Sequence, residues 1–384
     1  MSKITFRLTA ATDVGVVRTN NEDNFILNKD LTQKDWFVPQ DTSSVLTLGR
    51  YGCVLVVVDG MGGLNAGEVA SAIAVDSVKQ FYDEADLSKV IKTEASIEKF
   101  MRDIVVKADA AIKKRVKEDS TTAGMGTTLI MVWVIQNRAH LVWCGDSRAY
   151  IFNPNSGLIR FSKDHSYVQQ LVDEGKLDPE LAFDHPNSNI ITRCLGDFEG
   201  RAKPDYKSQQ LNDGDIILLC SDGLCGLCRD EEIIEVLTQN NENLEQCKLQ
   251  LIKHALAAGG YDNVTVALFQ VDGIEVDEDE AVTNKTLENP TPKSNKSNKA
   301  LWILIVVLIV IIIILAVLHI AIILKRDHTQ VPESVETAPV EAITPAVEAK
   351  ENAVIEQEDT TSLVAPDETI VSAKPVFSDS ETQQ

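Results

Sequence analysis

The sequence predicts an α+β fold built on a largely antiparallel sheet, followed by one membrane-crossing helix. Three observations carry that expectation. Short β-branched runs recur along residues 1–272, and two of them, Ala139–Cys144 and Ala149–Phe152, are separated only by Gly145-Asp146-Ser147-Arg148, which reads as a hairpin turn. Segments with helical spacing come in pairs rather than between every two strands, which is the α+β arrangement and not a doubly wound parallel sheet. Residues 300–324 carry no formal charge, and only His319 interrupts their apolar run.

In order along the chain, Val54–Val58 reads as a strand. Ala66–Tyr82 follows with Val69, Ile73, Val78 and Phe81 at helical spacing, and Lys99–Lys117 reads likewise with Phe100, Ile104, Ala108 and Ile112. Thr128–Ile135, Ala139–Cys144, Ala149–Phe152 and Ile216–Cys220 are strands. Two helices, near Asp230–Gln239 and Leu244–Ala258, separate the last of these from the strand Val264–Val271. Residues 273–299 lose periodicity and collect acids, then Asn, Pro, Ser and Lys, which marks a polar linker. As a helix, residues 300–324 would span about 38 Å, more than the ~30 Å hydrocarbon core of a bilayer. Lys285, Lys293, Lys296 and Lys299 precede this segment and only Lys325 and Arg326 follow it, so residues 1–299 are expected inside and the tail outside. The tail, residues 325–384, is acidic, lacks an apolar face and is expected to be disordered. The N-terminus, Met-Ser-Lys-Ile-Thr-Phe-Arg, has no apolar stretch of signal-peptide length, so the first domain is expected in the cytoplasm.

The chain carries 36 Lys and Arg against 58 Asp and Glu, a net charge of -22. Phosphate backbones are bound mainly by basic side chains, so no nucleic-acid partner is expected. Seven cysteines lie scattered through apolar runs and read as buried reduced thiols rather than a disulfide framework. Cys225 and Cys228 have the spacing of half a zinc site, but no second such pair completes it.

The placement of the aspartates is the informative feature. The run Val54–Val58 ends in Asp59-Gly60, Ile216–Ser221 ends in Asp222-Gly223, His140–Gly145 ends in Asp146, and Asp262-Asn263 precedes the last strand. Glu22 and Asp23 add two more acids near the N-terminus. Carboxylates that converge repel one another unless a counter-ion sits among them. Hard divalent cations such as Mg²⁺ and Mn²⁺ prefer such oxygen ligands, and a paired site of this kind activates water. A single Asp-Gly is most often a turn; four carboxylates each tied to an apolar run point to a metal centre. Other phosphate chemistries fail on spacing: the chain has no P-loop, no complete dinucleotide-binding glycine motif and no Gly-x-Ser-x-Gly elbow.

The series of motifs resembles the metal-dependent protein phosphatases of type 2C, the PPM family. It runs through Thr12–Asp23, Val58-Asp59-Gly60-Met61-Gly62-Gly63, Gly67–Ser71, Gly124–Thr128, Gly145–Tyr150, Asp164-His165-Ser166, Ile191–Gly196, Leu219–Leu224 and Asp262–Thr265, covering about residues 9–271. The resemblance implies a central β-sandwich of two antiparallel sheets flanked by helix pairs (αββα), with residues 1–272 as catalytic domain. It implies hydrolysis of phosphoserine and phosphothreonine in phosphorylated proteins, opposing a Ser/Thr protein kinase, with two Mn²⁺ or Mg²⁺ ions. Carried over, Asp59 bridges the two metals, the Gly60 carbonyl binds the second, and Asp222 and Asp262 hold the first. Glu22 and Asp23 act largely through metal-bound waters, Asp146 serves a third, weaker site, and Arg18 grips the substrate phosphate. Met61 stands where many eukaryotic members have a histidine, which leaves the general acid unassigned. His165 is read as a structural residue, and Tyr167–Asn189 corresponds to the flap of bacterial members. The alternative on the same fold is a catalytically silent phosphoprotein-binding or sensor module, which loss of a ligand carboxylate would favour; none is lost.

Overall fold

The computed structural model describes residues 3–37, 44–62, 66–196 and 202–275. In chain order the strands are β1 (Lys3–Asp13), β2 (Asn24–Asn28), β3 (Trp36–Phe37), β4 (Leu46–Thr47), β5 (Cys53–Val58), β6 (Gly60–Met61), β7 (Gly126–Thr127), β8 (Leu129–Ile135), β9 (Arg138–Cys144), β10 (Arg148–Asn153), β11 (Gly157–Arg160), β12 (Asp205–Gln210), β13 (Ile216–Cys220) and β14 (Val264–Glu275). The α-helices are α1 (Ala66–Glu84), α2 (Leu87–Val90), α3 (Glu94–Glu118), α4 (Tyr167–Asp173), α5 (Asp222–Cys225), α6 (Asp230–Asn240) and α7 (Leu244–Ala257). One sheet has the order β11-β10-β13-β14-β1-β4 and the other β12-β9-β8-β5-β2-β3, with every pairing antiparallel.

A strand that is apolar at every position, such as Cys53–Val58, needs both of its faces covered. The layers provide this. Leu55 and Val57 face inward with Val132, Phe6, Leu8, Ile217 and Phe269 to form the core between the sheets. The alternate residues Val54, Val56 and Val58 pack with Met131 and Trp133 under α1 and α3, through Val78, Met101, Ile104 and Ala108. On the far side, Tyr150, Leu218, Val266 and Leu268 meet Ile233, Leu237 and Leu251 of α6 and α7. The result is the αββα sandwich. All of these pairings are antiparallel, but the expected hairpin of Ala139–Cys144 with Ala149–Phe152 does not form: β9 pairs with β8 and β12 in one sheet and β10 with β11 and β13 in the other, so the turn at Gly145–Ser147 crosses between the sheets.

The helix Lys99–Lys117 starts earlier than its apolar spacing suggests. Thr93 accepts from the Ser96 N–H while Ser96 Oγ accepts from the Thr93 N–H, a reciprocal cap that supports the first turn from Glu94 and contributes about 1 kcal/mol. The first strand has no counterpart among the segments read from sequence, although Ile4, Phe6, Leu8 and Ala10 alternate with polar residues and are all buried. Its partner β14 carries on through Gly273–Glu275, which the composition assigned to the linker; these residues pair with Lys3–Thr5 past a bulge between Thr5 and Phe6. Pairing with β1, and not apolar content, extends the strand there. Among the described residues no helix is long and apolar enough to cross a membrane. The expected span 300–324, the linker beyond 275 and the tail 325–384 lie outside the described residues.

Candidate metal and phosphate site

Antiparallel pairing sets the site at one rim of the sandwich. Asp13 at the end of β1 pairs with Val264 at the start of β14, and Cys220 at the end of β13 pairs with both Val266 and Arg148. The ends of β1 and β13 and the starts of β14 and β10 therefore share one edge. Asp222 and Asp262 sit just beyond it. In the other sheet Val58 pairs with Asn24, which sets Asp59 beside Glu22 and Asp23. The small pairing of Gly60 with Thr127 continues this rim.

The Asp59 and Asp222 carboxyl groups are close neighbours that act on one another, and Asp59 also feels the charges of Asp23 and Asp146. Burial first, then the Asp222, Asp23 and Asp146 charges, holds the Asp59 carboxyl well above the usual range. Burial and the neighbouring Asp262 raise Asp222. Asp146, deeply buried, is raised well above the usual range by burial, then by Asp222 and Asp164. Asp23 is pushed up to about 8 mainly by burial, against the lowering effect of the Thr265 and Ser221 hydroxyls. Its Oδ2 accepts from Ser221 Oγ at 2.7 Å and Thr265 Oγ1 at 2.6 Å, so this oxygen is already engaged inside the protein. Glu22, more open to solvent, is raised by partial burial while Arg18 pulls it down.

Arg18 is half exposed and donates from Nη2 to Asp262 Oδ2 at 2.8 Å. An ion pair this open contributes little and exchanges readily for another anion. Sequence reasoning missed the residue that holds this loop in place. Asn263 is buried; its Nδ2 donates to Val14 O and Asn20 O, both at 2.9 Å, and its Oδ1 accepts from the Glu22 N–H at 2.8 Å. A polar residue beside a ligand-type aspartate was visible, but its partners lie more than two hundred residues away in the chain. The Asp59 backbone is fixed in a similar way: its N–H donates to Thr128 Oγ1 at 3.0 Å, and its carbonyl accepts from the Thr128 N–H at 2.8 Å and Thr127 Oγ1 at 2.9 Å. Glycine beside Asp222 is required by close approach, since a Cβ on Gly223 would lie 2.0 Å from Asn263 O.

A cleft of about 540 Å³ opens beside the rim, with Asp146, Asp222, Arg148, Phe183, Arg229 and Tyr261 among its walls. Its floor is the buried pair Arg148–Asp164, at 2.8 Å. Across it lies the segment Tyr167–Asn189, held to the turn after α5 by Arg229, which stacks over Phe183 at 4.3 Å and pairs with Asp184 at 2.5 Å. His165 is buried; its Nδ1 accepts from the Gly145 N–H at 3.1 Å and its Nε2 donates to Asp205 Oδ2 at 3.1 Å, as the structural reading expects. Cys225 and Cys228 are buried free thiols in the core under α6 and α7.

The donors fit hard divalent cations. Asp222 Oδ1 is buried without a hydrogen-bond partner, in direct neighbourhood of other carboxylates that burial alone would force to keep protons. Among the described residues no three His, Cys, Asp or Glu side chains already converge at full ligand geometry. Asp59 and Asp222 form the tight pair, and Asp23, Asp146 and Asp262 stand around it within electrostatic reach.

An αββα sandwich with hard oxygen donors and the Arg18 guanidinium gathered at a single rim defines a class of proteins suited to holding divalent cations against a phosphate. The protein phosphatase 2C family model matches residues 37–258, and the chain belongs to that family. It is 35% identical over 274 residues to the serine/threonine protein phosphatase PstP of Mycobacterium tuberculosis, a match taking in 71% of this chain and 46% of that one. The chain thus spans about half the length of that relative. The serine/threonine phosphatase stp of Listeria monocytogenes is 32% identical over 263 residues, 68% of this chain and 94% of its own. The crystal structure of the PstP catalytic domain in complex with 2 manganese ions is similar at a TM-score of 0.55 and 32% identity, covering 70% of this chain and 100% of that one.

Proposed function

We propose that the chain is a metal-dependent protein serine/threonine phosphatase that hydrolyses phosphoserine and phosphothreonine in phosphorylated proteins and so opposes Ser/Thr kinases. The observation that carries this is the buried Asp59–Asp222 contact, with an unpartnered Asp222 oxygen, beside an exchangeable Arg18–Asp262 pair. The manganese complex of PstP and the phosphatase relatives support it. Asp59, Asp222, Asp262 and the Gly60 carbonyl would hold two Mn²⁺ or Mg²⁺ ions, with Glu22 and Asp23 behind them and Asp146 at a third, weaker site. Such cations supply Lewis-acid charge and lower the pKa of water. The chain's own contribution is positioning. Arg18 offers a guanidinium fork to phosphate oxygens once released from Asp262. Asn263 holds the loop that carries Arg18 and Glu22, and the Thr127 and Thr128 hydroxyls hold the Asp59 backbone. Met61, next to Gly60, has no transferable proton, so protonation of the leaving alkoxide is assigned to no side chain.

The test is phosphate release from a phosphothreonine peptide by the full chain, first with Mn²⁺ and then with EDTA. Turnover should vanish with EDTA and fall at least about 100-fold in Asp222→Asn. Turnover without metal, or full activity in that variant, would refute the reading.

The chain is also read as a single-pass membrane protein, spanning at 300–324 with residues 1–299 in the cytoplasm and the acidic tail on the opposite side. The length of the uncharged run and the lysines before it support this. In sealed vesicles with the cytoplasmic face outward, added protease should leave the tail intact; a tail cut from that face would overturn the orientation.

A further inference from the structure

Val14, Val16 and Val17 follow the end of β1 with their side chains exposed, Val16 at 68% and Val17 at 61%. Tyr261, at 63%, stands on the facing turn between α7 and β14. Single exposed apolar residues are ordinary on a protein surface. These four belong to two segments that are stitched together. The Val16 and Val17 N–H groups donate to Gly260 O at 2.8 and 3.3 Å, and Asn263 donates to Val14 O at 2.9 Å. A Cβ on Gly260 would stand 2.7 Å from Val16 Cγ2. The apolar surface is therefore ordered before anything docks, which removes much of the entropic cost of binding.

The platform adjoins the candidate phosphate site through the chain itself. Val17 precedes Arg18, Tyr261 precedes Asp262, and Arg18 and Asp262 are paired at 2.8 Å. Tyr261 also lines the neighbouring cleft. A phosphate held by Arg18 would bring the residues flanking it near these side chains. The three valines and the Tyr261 ring carry no charge, so an apolar neighbour is buried there at less cost than a charged one.

We infer that Val14, Val16, Val17 and Tyr261 form a docking platform for the residue flanking the phosphorylated side chain, which selects phosphopeptides with an aliphatic or aromatic neighbour. This rests on the phosphatase reading above. The test uses the full chain with Mn²⁺ and two phosphothreonine peptides that differ only in flanking Val and Leu against Ser. The apolar peptide should be favoured about tenfold in kcat/KM, mostly through KM. The combined variant Val16→Ser, Val17→Ser and Tyr261→Ser should bring that ratio close to one, whereas Ile159→Ser, an exposed apolar change on β11, should preserve it. Equal wild-type rates on the two peptides, or a ratio that survives the combined variant, overturn the platform alone. Hydrolysis of neither peptide overturns the phosphatase reading and the platform with it. A dimer in sedimentation that dissociates in the combined variant while the ratio holds assigns the surface to a second copy and overturns the proposal.

Discussion

At the residue scale, His140 shows how the sandwich sets the charge state of a side chain. It lies buried on β9, with Nδ1 2.8 Å from the Tyr206 hydroxyl, and burial lowers its pKa from 6.5 to about 4. Between those two values the unfolded chain binds a proton that the folded chain rejects. Stability from this residue is thus fully present above pH 6.5 and is lost as pH falls toward 4, by about 3 kcal/mol in total. His165 is lowered as well, again by burial, and acts in the same direction. Urea titrations at several pH values should show a shallower acid slope in His140→Gln than in the wild type; an unchanged slope would remove His140 from this account.

At the element scale, the loop from Val14 to Glu22 depends on Asn263 rather than on a regular strand or helix. Asn263→Ala removes two donors and one acceptor from part-buried backbone hydrogen bonds, which should lower stability by about 1–3 kcal/mol. Because that loop bears Arg18, kcat/KM on phosphopeptides should fall roughly 10- to 100-fold. Asn263→Asp keeps the acceptor for the Glu22 N–H but sets a carboxylate oxygen against the Val14 and Asn20 carbonyls, so it should do no better than Asn263→Ala. Equal activity of Asn263→Ala and wild type would show that the loop is positioned by other contacts. The same scale explains what was legible in the sequence. Val54–Val58, Leu129–Ile135 and Ile216–Cys220 announce themselves because both faces of each are buried, and α1 and α3 because one stripe is. Asp205–Gln210 gives no such signal: it is a polar edge strand, mostly open to solvent, which forms because β9 offers an unpaired edge.

At the scale of the whole molecule, the acidic rim and the buried histidines oppose each other in their pH dependence. Asp23, at about 8, with Asp59, Asp146 and Asp222 also raised, keeps protons in the folded state that the unfolded chain has already released. Their contribution in metal-free protein is therefore greatest below the ordinary carboxylate range and is lost as pH rises toward 8. With EDTA, Tm should fall between pH 6.5 and pH 8. Divalent cations compete with those protons, so Mn²⁺ should raise Tm more at pH 8 than at pH 6.5. Thermal melts at both pH values check this; a Mn²⁺ shift that is the same at both would argue against cations among these carboxylates.

From the sequence alone came the α+β class, most of the buried strands, the family resemblance and the expectation that Arg18, Asp59, Asp222 and Asp262 belong to one site. Apolar periodicity and glycine beside aspartate are written within a few residues of one another, and motif order is read along the chain without any contact between its parts. The contact of Asp59 with Asp222, the engagement of Asp23 by Ser221 and Thr265, the Asn263 anchor, and the meeting of Val16 with Gly260 were decided only in three dimensions. Each joins segments far apart along the chain, and only the register of antiparallel strands, which brings their ends to a common rim, determines which of those segments touch.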